Sequence, residues 1–124
     1  MARKKSDLPT DRLPPQNLEA EKALIACVLI DEDARNRTLE VVRPEFFYAT
    51  AHQKIFSAVI RLFDRNEKCD LITLSNQLAQ DGVLEEIGGP GYLAELADSI
   101  ATAAYVDEYI KIVKDKHILR CLIA

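Results

Sequence analysis

The side chains that could support metal, redox or acid–base chemistry are few and widely spaced. The chain has three cysteines, Cys27, Cys69 and Cys121, and two histidines, His52 and His117. No two cysteines have the spacing of metal ligands, and we pair neither histidine with a cysteine, so no metal site is predicted. An odd number of distant cysteines indicates reduced thiols in an intracellular, cytoplasmic protein. We interpret Cys27 and Cys121 as small buried hydrophobic residues rather than redox groups or ligands.

His52 and the acidic residues are the remaining candidates for acid–base catalysis. His52 has no Cys, Asp or Glu close by in sequence, which favours a packed or hydrogen-bonded structural histidine over a ligand or base. Glu19 and Glu21 lie in the first turn of a predicted helix, where the helix dipole explains them. Glu85 and Glu86 are adjacent, and adjacent residues do not face each other on a helix. These residues therefore predict no catalytic site.

All four glycines lie in one stretch, GVLEEIGGPGYL, at residues 82–93. A phosphate-binding P-loop requires Gly, four residues, then Gly-Lys and a hydroxyl residue. No lysine follows any of these glycines, so the pattern fails and the stretch is interpreted as a sharp double turn. No cofactor is predicted to bind this chain.

The elements that position these residues are predicted to be helices around one apolar stretch, LEAEKALIACVLI (Leu18–Ile30). Every residue from 23 to 30 is apolar, which favours a helix covered on most sides by other helices. The run is too short to span a bilayer. Asn17 is its predicted N-cap. Apolar spacing predicts further helices over residues 34–42, 51–65, 74–81, 90–100 and 103–124.

Capping signals set the starts of three of these helices. Thr50 and Gln53 form a predicted capping box. Thr73 is a predicted N-cap, with residues 71–72 as a hydrophobic staple, and Gly82 is the left-handed residue past the end of that helix. Thr102 caps the last helix. The inward face of the helix after Thr50 is predicted to contain Ile55, Phe56, Val59, Leu62 and Phe63.

The last predicted helix carries two apolar rows, and two rows require two partner surfaces. The first row consists of Val106, Ile110 and Val113, extended by His117 and Cys121. The second row consists of Tyr105, Tyr109, Ile112, Leu119 and Ile123. We expect the surplus apolar surface to lie on this helix and assembly to involve residues 105–123. Because the final residues are apolar and contain no helix stop signal, we also expect a fragment cut inside a helix or just after it.

Length and charge favour a single globular domain that is a poor general binder of nucleic acid. The chain has 124 residues and a net charge of −4. Residues 1–16 carry four basic and two acidic residues, so the rest of the chain carries a net charge of −6. An acidic body does not attract phosphate backbones, and the basic start is not followed by the apolar segment of a signal peptide. No membrane partner is expected.

These features predict an all-α fold, a compact bundle of about six helices, and favour an interaction or assembly module. The alternative is an all-α DNA-binding or adaptor module, which would need a basic helix with base-reading side chains. A small enzyme ranks third, because no site supports it.

Five segments resemble the N-terminal domain of the bacterial replicative DNA helicase, the DnaB family. They are PPQNLEAEKALIACVLID (14–31), PEFFYATAHQKIFSAVIRL (44–62), CDLITLSNQL (69–78), LEEIGGPGYLAEL (84–96) and YIKIVKDKHILRCLI (109–123). Their order and spacing are those of the family, and PPQNLEAE with LEEIGG is a specific combination. The sequence departs from the family pattern in two places: Ala26-Cys27 stands where a small pair such as Gly-Ala or Gly-Ser is usual, and Lys22 stands where Gln is usual.

The resemblance implies a flexible tail (residues 1–16), a globular helical head (17–101) and the first helix of a truncated helical hairpin (102–124). In the family, hairpins pair between subunits to give a hexameric ring that is a trimer of dimers. The resulting collar binds primase, and a helicase loader is a further possible partner. ATP and Mg²⁺ are used by a C-terminal motor domain, which also makes most of the DNA contacts. That motor is not in this chain, so no enzymatic activity is expected of it.

The residues expected to make protein contacts are Glu19 and Tyr92 on the head and Tyr105, Tyr109, Ile112, Leu119 and Ile123 on the last helix. Tyr92 is included because it lies off the apolar face of its helix, which predicts an exposed aromatic residue. For each of these residues, plain core packing is an equally good interpretation.

Overall fold

Six α-helices and one 3₁₀ turn are formed within residues 13–123, the part of the chain that the computed structural model describes. The elements are α1 (Leu18–Ile30), α2 (Glu32–Val41), the 3₁₀ turn (Pro44–Phe46), α3 (Thr50–Asp64), α4 (Leu71–Gln80), α5 (Gly89–Asp98) and α6 (Val106–Ile123). The predicted all-α bundle is confirmed. The predicted flexible tail lies mostly outside the described residues, and the division into tail, head and hairpin helix stays a prediction.

α1 is the central helix, as its continuous apolar sequence predicts. The Asn17 side chain accepts a hydrogen bond from the Ala20 N–H at 3.0 Å, so the helix begins at Leu18. Residues 24–28 are fully buried, because α2, α3, α5 and α6 all pack against α1. Burial of each large aliphatic side chain here stabilises the fold by about 1.5–3 kcal/mol.

α3 presents a buried face to α1 and α4, but its start and end differ from the prediction. The N-cap is Ala49, which has no capping side chain, so the predicted capping box is wrong. Gln53 instead donates its side-chain amide to the Phe47 carbonyl at 2.8 Å. Phe63 is 55% exposed rather than inward, because it lies in the last turn and borders an open surface pocket.

α4 begins three residues before the predicted start. The Asp70 side chain accepts the Thr73 N–H at 2.8 Å, and the Thr73 hydroxyl accepts the Asp70 N–H at 2.9 Å. Asp70 is therefore the N-cap of a capping box in which Thr73 is the third helical residue, so the prediction of Thr73 as N-cap is wrong. Leu71 and Ile72 fall in the exposed first turn, so the predicted hydrophobic staple does not form.

α6 contributes fully buried residues to the core along its first half only. The Thr102 hydroxyl accepts the Ala104 N–H at 3.1 Å, but regular helix begins at Val106, later than predicted. Val106, Ile110 and Val113 join the same buried cluster as α1, whereas none of residues 114–123 is fully buried. Within residues 13–123, no helix combines the length and apolarity needed to cross a membrane.

Candidate interaction surface

Glu21, His52 and Tyr92 form a hydrogen-bonded cluster that joins α1, α3 and α5. The His52 imidazole lies 2.8 Å from Glu21 Oε1 through Nδ1 and 2.8 Å from the Tyr92 hydroxyl through Nε2. Glu21 also accepts the backbone N–H groups of Tyr48 at 2.5 Å and Ala49 at 3.2 Å, just before α3. Because the Glu21 and His52 side chains are each 2% exposed, the bond between them is shielded from water, and the cluster links three helices.

The direction of the hydrogen bonds in the cluster follows from its chemistry. A carboxylate that receives N–H groups acts only as an acceptor, so His52 Nδ1–H donates to Glu21. In the neutral imidazole Nε2 then carries no proton and accepts the Tyr92 O–H. Desolvation, together with the charges of Glu95 and Glu21, raises the pKa of Tyr92, so its hydroxyl keeps the proton that it donates.

This cluster confirms one prediction, extends another and corrects a third. His52 is a hydrogen-bonded structural histidine, as predicted. Glu21 lies in the first turn of α1, as predicted, but the helix dipole does not fully account for it, because its side chain is buried and accepts hydrogen bonds at the start of α3. Tyr92 is half-buried rather than exposed, since its ring stacks beside His52. Glu21 shares a helical stripe with Leu24 and Val28, and an acid on a buried stripe is the sequence signal for such a carboxylate.

The predicted contact residues differ in their exposure. Tyr109 and Ile112 are half-buried and pack against the core cluster, which agrees with the alternative core-packing interpretation. Exposed to solvent are Glu19, Tyr105, Leu119 and Ile123. A role of these residues in protein contacts stays a prediction.

Two exposed aliphatic residues, Ile118 and Leu122, are not among the contact residues predicted from the sequence. They are 50% and 76% exposed, and they lie beside Leu119 (44%) and Ile123 (68%). We call these four residues, Ile118, Leu119, Leu122 and Ile123, the α6 patch. Their spacing of i, i+1, i+4 and i+5 puts them on one side of the last two turns of α6.

Arg120 and His117 hold the other side of the last turns on the rest of the domain. Arg120 donates through Nη1 to the Pro15 carbonyl and through Nη2 to the Phe46 carbonyl, each at 2.8 Å. Its guanidinium lies 5.7 Å from the centroid of the Tyr48 ring. The His117 ring stacks on Phe46 with centroids 4.5 Å apart. These contacts direct the α6 patch towards solvent.

The three cysteines have different environments. Cys27 is buried, as predicted, and desolvation raises the pKa of its thiol to about 11. Cys69 is partly buried, and desolvation raises its pKa as well. Cys121 is exposed, so its predicted burial is wrong, because α6 has left the core by that turn.

His117 and Cys121 lie one helical turn apart, with 3.6 Å between Nε2 and Sγ. The prediction that no histidine pairs with a cysteine is therefore wrong for these two residues, because positions i and i+4 share a helix face. In the described part of the chain, no three His, Cys, Asp or Glu side chains gather around a common metal position.

We expect Cys121 to be alkylated first in the native protein and Cys27 only on unfolding. The thiolate is the reactive form, and a pKa of about 11 leaves roughly one Cys27 in 10,000 ionised at pH 7. Peptide mass spectrometry of quenched time points gives the rate at each cysteine, and Cys121→Ser should remove the fastest phase alone. Equal native rates at Cys27 and Cys121 would contradict this expectation.

A protein-family model described as DnaB-like helicase N terminal domain matches residues 13–115. The chain belongs to this family. The DnaB-like domain is 49% identical over 118 residues to the replicative DNA helicase DnaB of Geobacillus stearothermophilus, covering 95% of this chain and 26% of the relative. It is 47% identical to the replicative DNA helicase DnaC of Bacillus subtilis, with the same two coverages.

A solved structure agrees with this assignment. The crystal structure of the N-terminal domain of DnaB helicase from Mycobacterium tuberculosis matches with a TM-score of 0.85 and 39% identity, covering 90% of this chain and 79% of that one. The resemblance inferred from five sequence segments is thus confirmed, and the chain corresponds to the N-terminal domain of replicative DnaB helicases. It spans about a quarter (26%) of the length of the curated relatives named above.

Proposed function

We propose that this domain is the assembly and primase-docking collar of a hexameric replicative DNA helicase during DNA replication. In this proposal α6 is the first helix of a helical hairpin. Hairpins of neighbouring copies pair to form dimers, and three dimers form the ring. ATP and Mg²⁺ serve a motor domain outside residues 1–124, which also makes the main DNA contacts, and the domain itself has no enzymatic activity. The assembly acts in the cytoplasm.

The α6 patch is the observation that carries this proposal. Its four aliphatic side chains are 44–76% exposed on adjacent turns. Burial of such side chains against a partner stabilises a complex by up to about 1.5–3 kcal/mol each. Because Arg120 and His117 already hold these turns on the head, little conformational freedom is lost when a second helix packs there.

The head contributes a second contact region in this proposal. Glu19 is exposed in the first turn of α1, where its charge is available to a partner. Tyr92 is half-buried, so only the solvent-facing part of its ring is available. We assign these two residues to the surface that contacts primase or a helicase loader.

Ile123→Asp is expected to raise the dissociation constant of self-association at least about tenfold. A carboxylate would replace an aliphatic side chain worth ~1.5–3 kcal/mol in the contact. Light scattering coupled to size-exclusion chromatography at several concentrations measures this change. Since Ile123 is 68% exposed, thermal unfolding of the monomer should stay the same. Ala101→Asp is the control, because it puts the same charge on an exposed residue outside the α6 patch.

Primase binding by the same pair of variants tests the docking role. We expect titration with purified primase to show weaker binding by Ile123→Asp and unchanged binding by Ala101→Asp. Equal primase binding by the two variants would show that the α6 patch does not contact primase. An unaltered protein that stays monomeric, ignores primase and binds DNA with a steep salt dependence would instead favour the all-α DNA-binding module.

A further inference from the structure

We propose that His117 and Cys121 are a pair of ligands for a divalent metal ion of the Zn²⁺ class. The two residues are separated by one helical turn, the spacing at which two histidines of one helix bind zinc in the HExxH motif. Imidazole nitrogen and thiolate sulfur are the ligands that zinc prefers. Both residues lie beyond residue 115, the last position that the family model matches.

The distance between the two ligand atoms fits a single tetrahedral ion. Bonds of about 2.3 Å to sulfur and about 2.0–2.1 Å to nitrogen, at a tetrahedral angle, place the two ligand atoms about 3.5 Å apart. His117 Nε2 and Cys121 Sγ are 3.6 Å apart. The separation of the two atoms therefore matches the separation that one ion bonded to both would require.

The imidazole is held in position by the head, and the thiol is open to solvent. The His117 ring is stacked on Phe46 at 4.5 Å with an angle of 23° between the ring planes. Phe46 is itself tied to α6, because its carbonyl accepts a hydrogen bond from Arg120. Cys121 is exposed, so an ion can reach the pair from solution. An ordered ligand loses less conformational freedom when it binds.

Two protein ligands occupy half of a tetrahedral shell. No third His, Cys, Asp or Glu joins them within residues 13–123, so water or the same pair from a second copy occupies the other two positions. Cys121 lies between α6 patch residues in sequence, but His117 packs on Phe46 at the other side of the last turns, so the site does not depend on the proposed self-association. On binding, the Cys121 thiol releases its proton to solvent and its sulfur bonds the ion.

Cobalt titration tests the site, because Co²⁺ replaces Zn²⁺ and reports thiolate ligation through a sulfur-to-cobalt charge-transfer band. We expect the full chain, reduced and metal-free, to develop this band and zinc to remove it. Cys121→Ser should abolish the band. His117→Gln should weaken metal affinity at least about tenfold, since even the loss of a residue that hydrogen-bonds to a metal ligand has that effect. Cys69→Ser is the matched control and should leave the band intact.

The outcomes separate this site from the proposed function. Ile123→Asp should keep the cobalt band even when self-association is lost, so the two proposals fail independently. One ion for two chains assigns the remaining positions to a second copy, and one ion for each chain assigns them to water; either supports the site. No zinc binding by calorimetry, or a band that persists in Cys121→Ser, would overturn it. Far-ultraviolet circular dichroism of each variant verifies that the helices remain.

Discussion

Replacement of Glu21 by alanine is expected to lower the free energy of unfolding by about 3–5 kcal/mol. The substitution removes the acceptor for three N–H groups, those of Tyr48, Ala49 and His52 Nδ1. An unsatisfied buried donor costs about 1–3 kcal/mol, and a cavity is left beside the core. Because α1, α3 and α5 meet at this cluster, we expect unfolding to remain a single transition at a lower denaturant concentration.

Chemical denaturation followed by far-ultraviolet circular dichroism measures this change, since the chain has no tryptophan to report unfolding by fluorescence. Glu19→Ala is the matched control, because it makes the same substitution in the same turn of α1 at an exposed position. Its expected effect is within about 0.5 kcal/mol. Equal losses for the two variants would show that the helix dipole, rather than the buried cluster, explains Glu21.

The helical framework follows from local sequence rules. The apolar run at residues 23–30 is favoured as a covered helix over a buried strand by the helix-forming residues before it, and α1 is such a helix. Periodic apolar residues likewise predict the buried face of α3 up to Leu62. These predictions succeed because helix formation and burial depend on residues three and four positions apart, which a single sequence displays.

Contacts between distant residues are what the local rules miss. Glu21 and His52 are 31 positions apart, and His52 and Tyr92 are 40 apart, so no spacing in the sequence pairs them. Once α1, α3 and α5 pack together, the three side chains complete one another's hydrogen bonds. The capping box of α4 shows a different limit, because Asp70 and Thr73 are both good caps and only the backbone geometry decides which one is the N-cap.

The contact surface on α6 could be predicted only in part, because exposure there also depends on contacts between α6 and distant residues. Two apolar rows on α6 indicate two partners, but they assume that the helix packs along its whole length. Val113 is the last fully buried residue of α6, so residues of both rows and those between them become exposed together in the last turns. Exposure of Ile118 and Leu122 therefore depends on where the bundle ends rather than on helical periodicity.

Gly88→Ala is expected to destabilise the domain by about 2–4 kcal/mol, because both the backbone conformation and the surroundings of Gly88 disfavour a side chain. Gly88 has a φ of +114°, a conformation that costs an L-residue about 1–2 kcal/mol or more. An added Cβ would also lie 2.8 Å from Tyr92 Cβ and 3.1 Å from Tyr92 Cγ. Tyr92 cannot move away freely, since its hydroxyl is bonded to His52.

Gly91→Ala is the matched control for this substitution three residues further along. Gly91 lies within α5, and an added Cβ there meets no atom within 4 Å. Alanine in a helix is favoured over glycine by about 0.5–1 kcal/mol, so Gly91→Ala should raise the midpoint of thermal unfolding while Gly88→Ala lowers it by on the order of 10 °C. Near-ultraviolet circular dichroism of the tyrosines should change only in Gly88→Ala. If both variants shift the midpoint in the same direction, the close approach of Gly88 to Tyr92 does not constrain the start of α5.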